Sequence, residues 1–396
     1  MKSAINFKPL NQPHFHLWCP DIFEFKGGIQ VYSAFLLTAL QELYPKGKYQ
    51  VILKHDRRSS PEFSFLPNTH FHFTGQIPLP WRTWVFAARI TFLALVDRPD
   101  LIIATHVNFT VVADWLKRWF GIPYWVVVHG VEAWNLEKPS LQRALHHADR
   151  VVSVSGYTRD RLLGEQQLDP RQIALLPNTF DATRFHITPK PQFLLQRYHL
   201  TAHQPIILTV ARLDSSQPYK GYDKILHALP RLRQVFPDVH YLIVGKGCDR
   251  LRIEQLIESL HLQDCVTLTG FIPDEELCDH YNLCDVFAMP SLGEGFGIVY
   301  LEALACGKPT LGGNQDGAID ALCHGELGVL VNPESVEEIA QALLDILQKN
   351  INNPLLYQPQ KLRDKVIEVY GFRSFKQALG DIFRGTKVRF RGARVE

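Results

Sequence analysis

The sequence predicts an α/β protein with two doubly wound domains, each built on a parallel sheet. Short apolar runs rich in β-branched residues recur along the chain, and each run is followed by turn residues and a segment of helical periodicity. This alternation is typical of βαβ units. A stretch at 188–205 that contains proline and glutamine separates the runs into two series. A chain of 396 residues is long enough for two such domains.

Each series contains six predicted strands. In the first half the strands are Phe15 to Cys19, Val51 to Leu53, Leu101 to Ala104, Trp125 to His129, Val151 to Val154 and Ile173 to Leu176. In the second half they are Ile206 to Val210, Tyr241 to Val244, Val266 to Leu268, Val286 to Met289, Pro309 to Leu311 and Val329 to Val331. A cleft between two such domains is the expected ligand site.

The predicted domain boundaries follow from these two series. Residues 1–185 and 205–365 form the two domains, and residues 186–204 link them. The segments 335–350 and 361–384 have the periodicity of amphipathic helices. Residues 366–396 are expected to form a C-terminal helix and a basic tail, with the helix packing back on the first domain.

Composition and charge exclude some classes of function. Hydrophobic and charged residues make up 46% and 21% of the chain, which is ordinary for a globular protein. The net charge of +2 is far below the basic excess of nucleic-acid-binding proteins. The charge is uneven, because 20 Lys/Arg against 15 Asp/Glu give residues 1–185 a charge of +5.

The basic half also contains two stretches that combine aromatic and cationic side chains, Trp81–Arg89 and Trp115–Phe120. Such a composition is typical of segments that lie at a membrane interface, and half-buried helices of a globular domain have the same composition. The first interpretation predicts peripheral association with the inner face of the plasma membrane. The second requires no membrane.

Cysteine usage and the apolar runs predict a cytoplasmic protein. The seven cysteines form no C-x-x-C pair and are odd in number, so the sequence predicts neither a disulfide framework nor a structural zinc site. The N-terminus lacks the apolar core of a signal peptide. The longest apolar run, Ile90 to Val96, is interrupted only by Thr91 and is much shorter than the roughly 20 residues that a bilayer span requires.

The most informative motif places two carboxylates, Glu294 and Glu302, around a Gly-x-Gly turn that follows the predicted strand Val286 to Met289. Glu294 would lie in the loop at the carboxyl end of that strand, where open α/β sheets bind ligands. The glycines allow backbone amides at the start of the next helix to approach a ligand closely. Glu302 would lie about two turns into that helix. The pattern favours a site for a sugar nucleotide.

Cations, glycines and a histidine occupy similar positions after other predicted strands. Arg212 follows the first strand of the second half, and Lys220 lies at the apparent start of the next helix, so together they can neutralise a diphosphate. Gly27 and Gly28 form a glycine turn before a long apolar helix. His129 ends the strand that begins at Trp125, where it is a candidate for a ligand or proton role.

Several motifs are absent from the sequence. No Asp-x-Asp pair is present to hold a divalent ion on a sugar diphosphate, and no Cys/His cluster occurs. We therefore expect no metal and no cofactor. The sequence also lacks a G-x-S-x-G elbow and a Walker lysine, which argues against a serine hydrolase and a P-loop kinase.

Taken together, these motifs resemble glycosyltransferase family 4, the retaining transferases of GT-B architecture. The most specific stretch runs from Thr269 to Pro309 and includes both carboxylates. Segments around His129, Ser153–Arg159 and Leu176–Phe185 also match. The resemblance spans nearly the whole chain. It implies two Rossmann-like domains that face each other across a cleft, the first binding the acceptor and the second the nucleotide sugar.

The resemblance also implies roles for individual residues of the donor site. Arg212 and Lys220 would hold the diphosphate, Glu302 would bond the ribose hydroxyls, and Glu294 would face the donor sugar. Gly27 and Gly28 would lie beside the diphosphate, and His129 would bond the sugar. Backbone amides near the sugar and the border of the base complete the expected donor-binding set: Phe296, Gly297, Ile298, Val299, Gly270, Phe271 and Ile272. The eight positions from Arg212 to Lys220 exceed the commoner spacing in this family.

The expected activity is metal-independent, retaining transfer of a hexosyl unit from a nucleoside diphosphate sugar. On family frequency the donor is UDP-glucose, with GDP-mannose as the alternative. The expected acceptor is a saccharide or a polyprenyl-linked saccharide in polysaccharide biosynthesis. A non-catalytic nucleotide-sugar-binding protein on the same scaffold remains an alternative, because a fold alone does not establish activity.

Overall fold

The computed structural model describes residues 12–24, 27–59, 65–215 and 218–385. These residues divide into two compact units. The first contains the described residues up to Val154, then Arg159–Leu176 and those from Phe375 onward. The second contains Ser155–Thr158 and the described part of Pro177–Ser374. The basic tail predicted beyond residue 385 lies outside the described residues.

The first unit is built on a seven-stranded parallel sheet. Its elements in chain order are β1 (His14–Cys19), α1 (Gly28–Leu43), β2 (Lys48–Leu53), β3 (Thr69–Phe73), α2 (Leu79–Asp97), β4 (Leu101–Ala104), α3 (Thr110–Phe120), β5 (Tyr124–Val128), α4 (Pro139–His147), β6 (Arg150–Ser153), α5 (Gly156–Gln166) and β7 (Ile173–Leu175). The strand order is β3-β2-β1-β4-β5-β6-β7. The order reverses between β1 and β4, so this pair is the topological switch point of the sheet.

The second unit is built on a six-stranded parallel sheet. Its elements are α6 (Gln192–Arg197), β8 (Ile206–Val210), α7 (Tyr222–Val235), β9 (His240–Val244), α8 (Arg250–Ser259), β10 (Val266–Gly270), α9 (Leu277–Leu283), β11 (Val286–Met289), α10 (Ile298–Ala305), β12 (Thr310–Gly313), α11 (Ala318–Ala321), β13 (Val329–Val331), α12 (Val336–Leu347) and α13 (Pro359–Tyr370). The strand order is β10-β9-β8-β11-β12-β13, and the switch point lies between β8 and β11.

The twelve predicted strands are all present, each within three residues of its predicted ends. The sequence interpretation missed β3, an edge strand whose side chains are mostly half-buried and alternate histidine with phenylalanine. An edge strand keeps one side open to solvent, so it needs no continuous apolar run. The buried strands do need one, and Val51, Ile52 and Leu53 of β2 are each completely buried.

The predicted helix at 361–384 is wrong in one respect, because two helices occupy this segment. The first, α13, ends at Tyr370, and α14 (Phe372–Arg384) follows. The intervening Gly371 has an extended backbone, with φ −64° and ψ 159°, which interrupts the helix. A Cβ atom at this position would lie 2.4 Å from the Ile367 carbonyl oxygen. Only glycine fits this turn without movement of its neighbours.

The units differ from the predicted domains at both boundaries. The division falls after Leu176 rather than after residue 185, and the predicted linker 186–204 belongs to the second unit. Lys190 anchors this segment through a 2.7 Å ion pair with Asp285. At the other end, α14 packs on the first unit, where the Phe383 ring lies 4.4 Å from that of Trp125 and 6.0 Å from that of Phe15.

Candidate active site

The charged residues singled out in the second half of the sequence lie on both sides of its switch point. Arg212 and Lys220 follow β8, and Glu294 follows β11. These two strands pair in parallel through Ile207 and Leu208. Because the carboxyl ends of parallel strands meet at one edge of a sheet, the three side chains are brought to the edge where such folds bind ligands.

Lys220 and Glu294 form an ion pair at this edge, with the Lys220 Nζ donating to Glu294 Oε2. Their side chains are only 14% and 20% exposed. Burial by itself lowers the pKa of Lys220, but the charge and hydrogen bond of Glu294 outweigh burial and hold that pKa above its usual value. The ammonium is therefore charged at neutral pH. An anion that enters the site meets a cation already fixed in place.

Asp316, which the sequence interpretation missed, holds the backbone that carries Glu294. Its Oδ2 accepts hydrogen bonds from the Glu294 amide at 2.7 Å and from the Ser291 hydroxyl at 2.6 Å, and its Oδ1 accepts one from the Ala318 amide at 2.9 Å. The Asp316 side chain is completely buried, and burial raises its pKa to about 7. The Gly317 amide also donates to the Glu294 carbonyl at 2.8 Å. The loops after β11 and β12 are thus joined.

The turn between Glu294 and α10 requires glycine. Gly297 has φ +86° and caps α10 without a side-chain hydrogen bond. A Cβ atom there would lie 2.5 Å from the Tyr300 ring and 3.1 Å from Glu294 Cγ. The first amides of a helix have no partner within the helix, and the helix dipole adds positive charge at this end. The amides of Phe296, Gly297, Ile298 and Val299 therefore suit an electronegative ligand.

Glu302 lies on α10 but closer to its start than predicted. The helix begins at Ile298, so Glu302 is a little more than one turn into it rather than two. Its side chain is 9% exposed and accepts a 2.7 Å hydrogen bond from the Tyr281 hydroxyl. Burial raises the pKa of Glu302 to about 7, partly offset by this hydrogen bond and by the charge of Arg184. Tyr281 and Arg184 were not recognised from the sequence.

The turn that follows β10 presents an aromatic side chain at the same edge of the sheet. Gly270 ends the strand with φ +75°, and Phe271 is 67% exposed. The Lys246 Nζ lies 4.8 Å from the centroid of the Phe271 ring. Ile272 follows and is half-buried. An exposed aromatic ring next to a cation is a suitable surface for stacking a planar base.

Arg212 is exposed in the loop after β8. Burial raises the pKa of the nearby Tyr219 hydroxyl, and the charges of Lys220 and Arg212 partly offset this effect. Residues 216 and 217, which include part of the insertion between Arg212 and Lys220, lie outside the described residues. Lys220 ends a short 3-10 helix and lies two residues before α7 begins, slightly ahead of the helix start where the sequence placed it.

The candidate residues of the first half lie at the switch-point edge of the first unit. Gly27 caps α1 and Gly28 begins it, with no acidic residue in the first turn of the helix. A Cβ atom built on Gly28 would meet nothing within 4 Å. The start of α1 is therefore open enough for another molecule to approach its amides.

His129 follows β5 and is held in one orientation. Its Nε2 donates to the Thr105 carbonyl at 3.1 Å, and its backbone amide donates to Glu132 Oε1 at 2.5 Å. The Tyr32 ring packs edge-on against the imidazole at 5.1 Å. Burial lowers the pKa of His129 to about 3, so the ring is neutral at physiological pH. With Nε2 protonated, Nδ1 is an acceptor.

One group of side chains in the described residues has the composition of a metal site, and it consists of His14, His16 and Asp97. The His16 Nε2 lies 3.2 Å from Asp97 Oδ2. The three residues lie at the start of β1 and the end of α2, whereas Gly28 follows the carboxyl end of β1. This group is therefore at the opposite edge of the first sheet from the candidate site residues.

Comparison with known families agrees with this architecture. Residues 26–184 match the model of Glycosyltransferase Family 4, and residues 194–368 match that of Glycosyl transferases group 1. The chain belongs to glycosyltransferase family 4. Its two Rossmann-like parallel sheets are those of the GT-B fold, as predicted.

One curated relative and two solved structures are similar to this chain, and the two structures share its fold. The GDP-mannose-dependent alpha-(1-6)-phosphatidylinositol monomannoside mannosyltransferase of Mycolicibacterium smegmatis is 34% identical over 231 residues, which span 55% of this chain and 59% of that protein. Sucrose-phosphate synthase from Thermosynechococcus elongatus matches with TM-score 0.76 at 22% identity, over 94% of this chain and 98% of that one. The Anabaena protein HepE in complex with UDP matches with TM-score 0.75 at 18% identity, over 94% and 99%.

Proposed function

We propose that this protein is a hexosyltransferase that uses a nucleoside diphosphate sugar and retains the anomeric configuration. The Lys220–Glu294 pair at the switch point of the second sheet carries this proposal. A fixed cation beside a carboxylate, at the edge where α/β folds bind ligands, suits a substrate with an anionic diphosphate and a reacting sugar.

The diphosphate is neutralised by Lys220, by Arg212 and by the amides at the start of α10. Lys220 remains charged because Glu294 raises its pKa. When the bond between the anomeric carbon and the diphosphate oxygen breaks, negative charge grows on that oxygen. Cations and helix amides that are already in position stabilise this charge without reorganisation.

The two carboxylates perform different tasks. Glu294 faces the sugar, where positive charge develops at the anomeric carbon as the diphosphate leaves. Glu302 accepts hydrogen bonds from the ribose hydroxyls, and Phe271 and Ile272 border the base. The acceptor hydroxyl attacks from the face of the departing diphosphate, whose oxygen takes the proton, so the configuration is retained. On the first unit, His129 accepts a hydrogen bond from a sugar hydroxyl through Nδ1, and Gly28 allows close approach to the diphosphate.

Two donors are candidates. UDP-glucose is the donor expected on family frequency, and the solved complex of HepE with UDP is of the same fold. GDP-mannose is favoured by the name of the mycolicibacterial relative, which has the higher identity of the two. The acceptor is a saccharide or a lipid-linked saccharide, and the same relative is named for a phosphatidylinositol monomannoside acceptor.

The direct test is release of nucleoside diphosphate. Purified protein is incubated with UDP-glucose, GDP-mannose and ADP-glucose, with and without candidate saccharide acceptors. We expect one donor to be turned over far faster than the others, with a product of the same anomeric configuration as the donor. Excess EDTA should leave the rate unchanged, because side chains and amides neutralise the diphosphate. Loss of activity with EDTA that manganese or magnesium restores would contradict metal-independence. Tight nucleotide binding without turnover on any donor would favour the non-catalytic alternative.

A further inference from the structure

The outward face of α2 in the first unit is apolar and rich in tryptophan. Trp81 and Trp84 are 67% and 76% exposed, and Phe92 and Val96 farther along the helix are 65% and 64% exposed. At 3.6 residues per turn these four side chains lie along one side of the helix. The buried residues of α2, Phe86, Ile90 and Ala94, lie on the opposite side.

The neighbouring helix α3 also exposes large aromatic side chains on its outward side. It packs beside α2 and exposes Trp119, at 73%, together with Trp115, while Ala113 and Leu116 are buried. The chain has seven tryptophans, and four of them lie on the outward sides of these two helices. We refer to Trp81, Trp84, Phe92, Val96, Trp115 and Trp119 as the tryptophan face.

An ordinary surface helix does not have this pattern. Such a helix buries one apolar side and turns charged residues to water, whereas α2 is apolar on both sides. Scattered exposed hydrophobic residues require no explanation, but a contiguous apolar patch marks an interaction site. A shallow depression of about 450 Å³ on α2 extends the apolar area; it is lined by His72, Val85, Ala88, Arg89, Phe92 and Leu93.

Two arginines border the tryptophan face. Arg82 and Arg89 lie on one border of the α2 stripe, whereas on α3 Lys117 is paired with Asp149 and Arg118 with Asp114. The only acidic residues on these two helices are Asp97, which is bonded to His16, and Asp114, whose side chain is 2% exposed and paired with Arg118. The face therefore presents tryptophans and the two arginines of α2 to its surroundings, and the charged groups of α3 are paired.

We propose that the tryptophan face binds an anionic lipid surface, with α2 and α3 lying in the plane of the membrane interface. Tryptophan prefers the level of the lipid headgroups, where its ring is buried and its indole N–H remains hydrated. The arginines at the border, Arg82 and Arg89, attract anionic headgroups. Neither helix crosses the bilayer, which agrees with the finding that no helix of the described residues is long and apolar enough to span a membrane.

The charge pattern favours a lipid surface over a second copy of this chain. A symmetric dimer through this face would bring the same cationic borders together, and like charges across an interface oppose association. An anionic membrane neutralises those borders. This inference rests on the exposed residues of the first unit and does not require the proposed transferase activity.

The test is co-flotation of the full-length protein with vesicles. We expect binding to vesicles of phosphatidylcholine and phosphatidylglycerol, weak binding to phosphatidylcholine alone, and release at high salt because the attraction is screened. The variant Trp84→Ala/Trp119→Ala removes two large exposed rings, and its vesicle partition coefficient should fall roughly ten-fold or more. The matched control is Phe193→Ala/Leu251→Ala, which removes two exposed apolar side chains of the second unit and should bind like the unchanged protein.

Three results would overturn the proposal. Equal binding to neutral and anionic vesicles would show that the cations do not contribute to membrane binding. Equal loss of binding in the control variant would show that any exposed apolar side chain suffices. The third result would come from light scattering of the protein without vesicles. There the unchanged protein would be an oligomer and the variant Trp84→Ala/Trp119→Ala a monomer. This result would show that the tryptophan face is covered by a second copy.

Discussion

The two sheets reverse their strand order at the same place, yet their switch points carry opposite kinds of chemistry. At the first, between β1 and β4, α1 begins at Gly28 with open space around it, and His129 nearby is neutral. At the second, between β8 and β11, Lys220 and Glu294 form an ion pair above a buried Asp316. The same topology therefore supports an edge with a glycine and a neutral histidine in one unit, which we call the uncharged edge after these two residues, and an edge with a fixed ion pair, the charged edge, in the other.

This difference indicates which interactions each unit can make. The charged edge fixes a cation for an anionic group and a carboxylate for developing positive charge, so it is suited to the reacting part of a sugar nucleotide. The uncharged edge offers an imidazole acceptor and a helix start, which suit hydroxyl groups and the close approach of a phosphate. Substitutions at the two edges should consequently impair activity in different ways.

The largest effect is expected at Lys220. Lys220→Ala removes the cation that meets the charge growing on the leaving diphosphate, so kcat should fall roughly 100- to 1000-fold. The measurement is steady-state kinetics at saturating donor, with circular dichroism to establish that the variant is folded. Lys224→Ala, a lysine on the first turn of α7 with no assigned role, is the control and should keep normal turnover. Near-normal turnover in a folded Lys220→Ala protein would show that the charged edge does not stabilise the leaving diphosphate.

Glu294→Ala should have the next largest effect. This variant distinguishes a role at the reacting sugar from a role in nucleotide binding. The carboxylate stabilises positive charge at the anomeric carbon only in the transition state, so kcat should fall about 100-fold even with saturating donor. The free nucleoside diphosphate lacks the sugar and should bind nearly as before in calorimetric titration. A variant that keeps its kcat but loses nucleotide affinity would show that Glu294 serves binding instead.

Much of this fold could be predicted because buried parallel strands are continuous apolar runs. Glu294 was recognised because the Gly-x-Gly turn beside it is local in the sequence. Asp316 was missed because its role depends on contacts with Ser291 and the Glu294 amide, 25 and 22 positions away. Only its location after the strand at 309–311 could have drawn attention to it.

The boundaries were less predictable for the same reason. The segment at 186–204 has the composition of a linker, but the Lys190–Asp285 ion pair attaches it to the second unit. Tyr281 reaches Glu302 from a different helix, 21 positions earlier in the chain. Periodicity reports which side of an element is apolar, and it does not report which distant polar groups that element will meet.

At the uncharged edge, Gly28→Ala should reduce activity without harming the fold. A Cβ atom there meets nothing within 4 Å, and alanine favours a helix by about 0.5–1 kcal/mol over glycine, so stability should be kept or slightly raised. The methyl group occupies space needed by the donor, and kcat/KM should fall roughly ten-fold. Gly164→Ala on α5 is the matched control, since its Cβ also meets nothing within 4 Å. Equal kinetics for both variants would show that the start of α1 lies away from the donor.

The smallest expected effect is a change in the free energy of unfolding. It tests whether the burial of Glu302 at the charged edge destabilises the fold. Burial raises the pKa of Glu302 from 4.5 to about 7, so the unfolded chain releases this proton at lower pH than the folded protein does. The contribution of Glu302 to stability is therefore full below about pH 4.5 and decreases as pH rises through about 7.

A glutamine at position 302 has no such proton to release. The stability of Glu302→Gln should therefore not decrease in this way as pH rises. Relative to the unchanged protein, the free energy of unfolding of Glu302→Gln should increase by about 1 kcal/mol between roughly pH 6 and pH 8. Urea unfolding at several pH values measures this difference, and any constant effect of the altered Tyr281 hydrogen bond cancels. A difference that does not vary with pH would show that Glu302 is ionised in the folded protein across this range. The charged edge, with Glu302 buried in it, would then destabilise the fold less than the burial of Glu302 indicates.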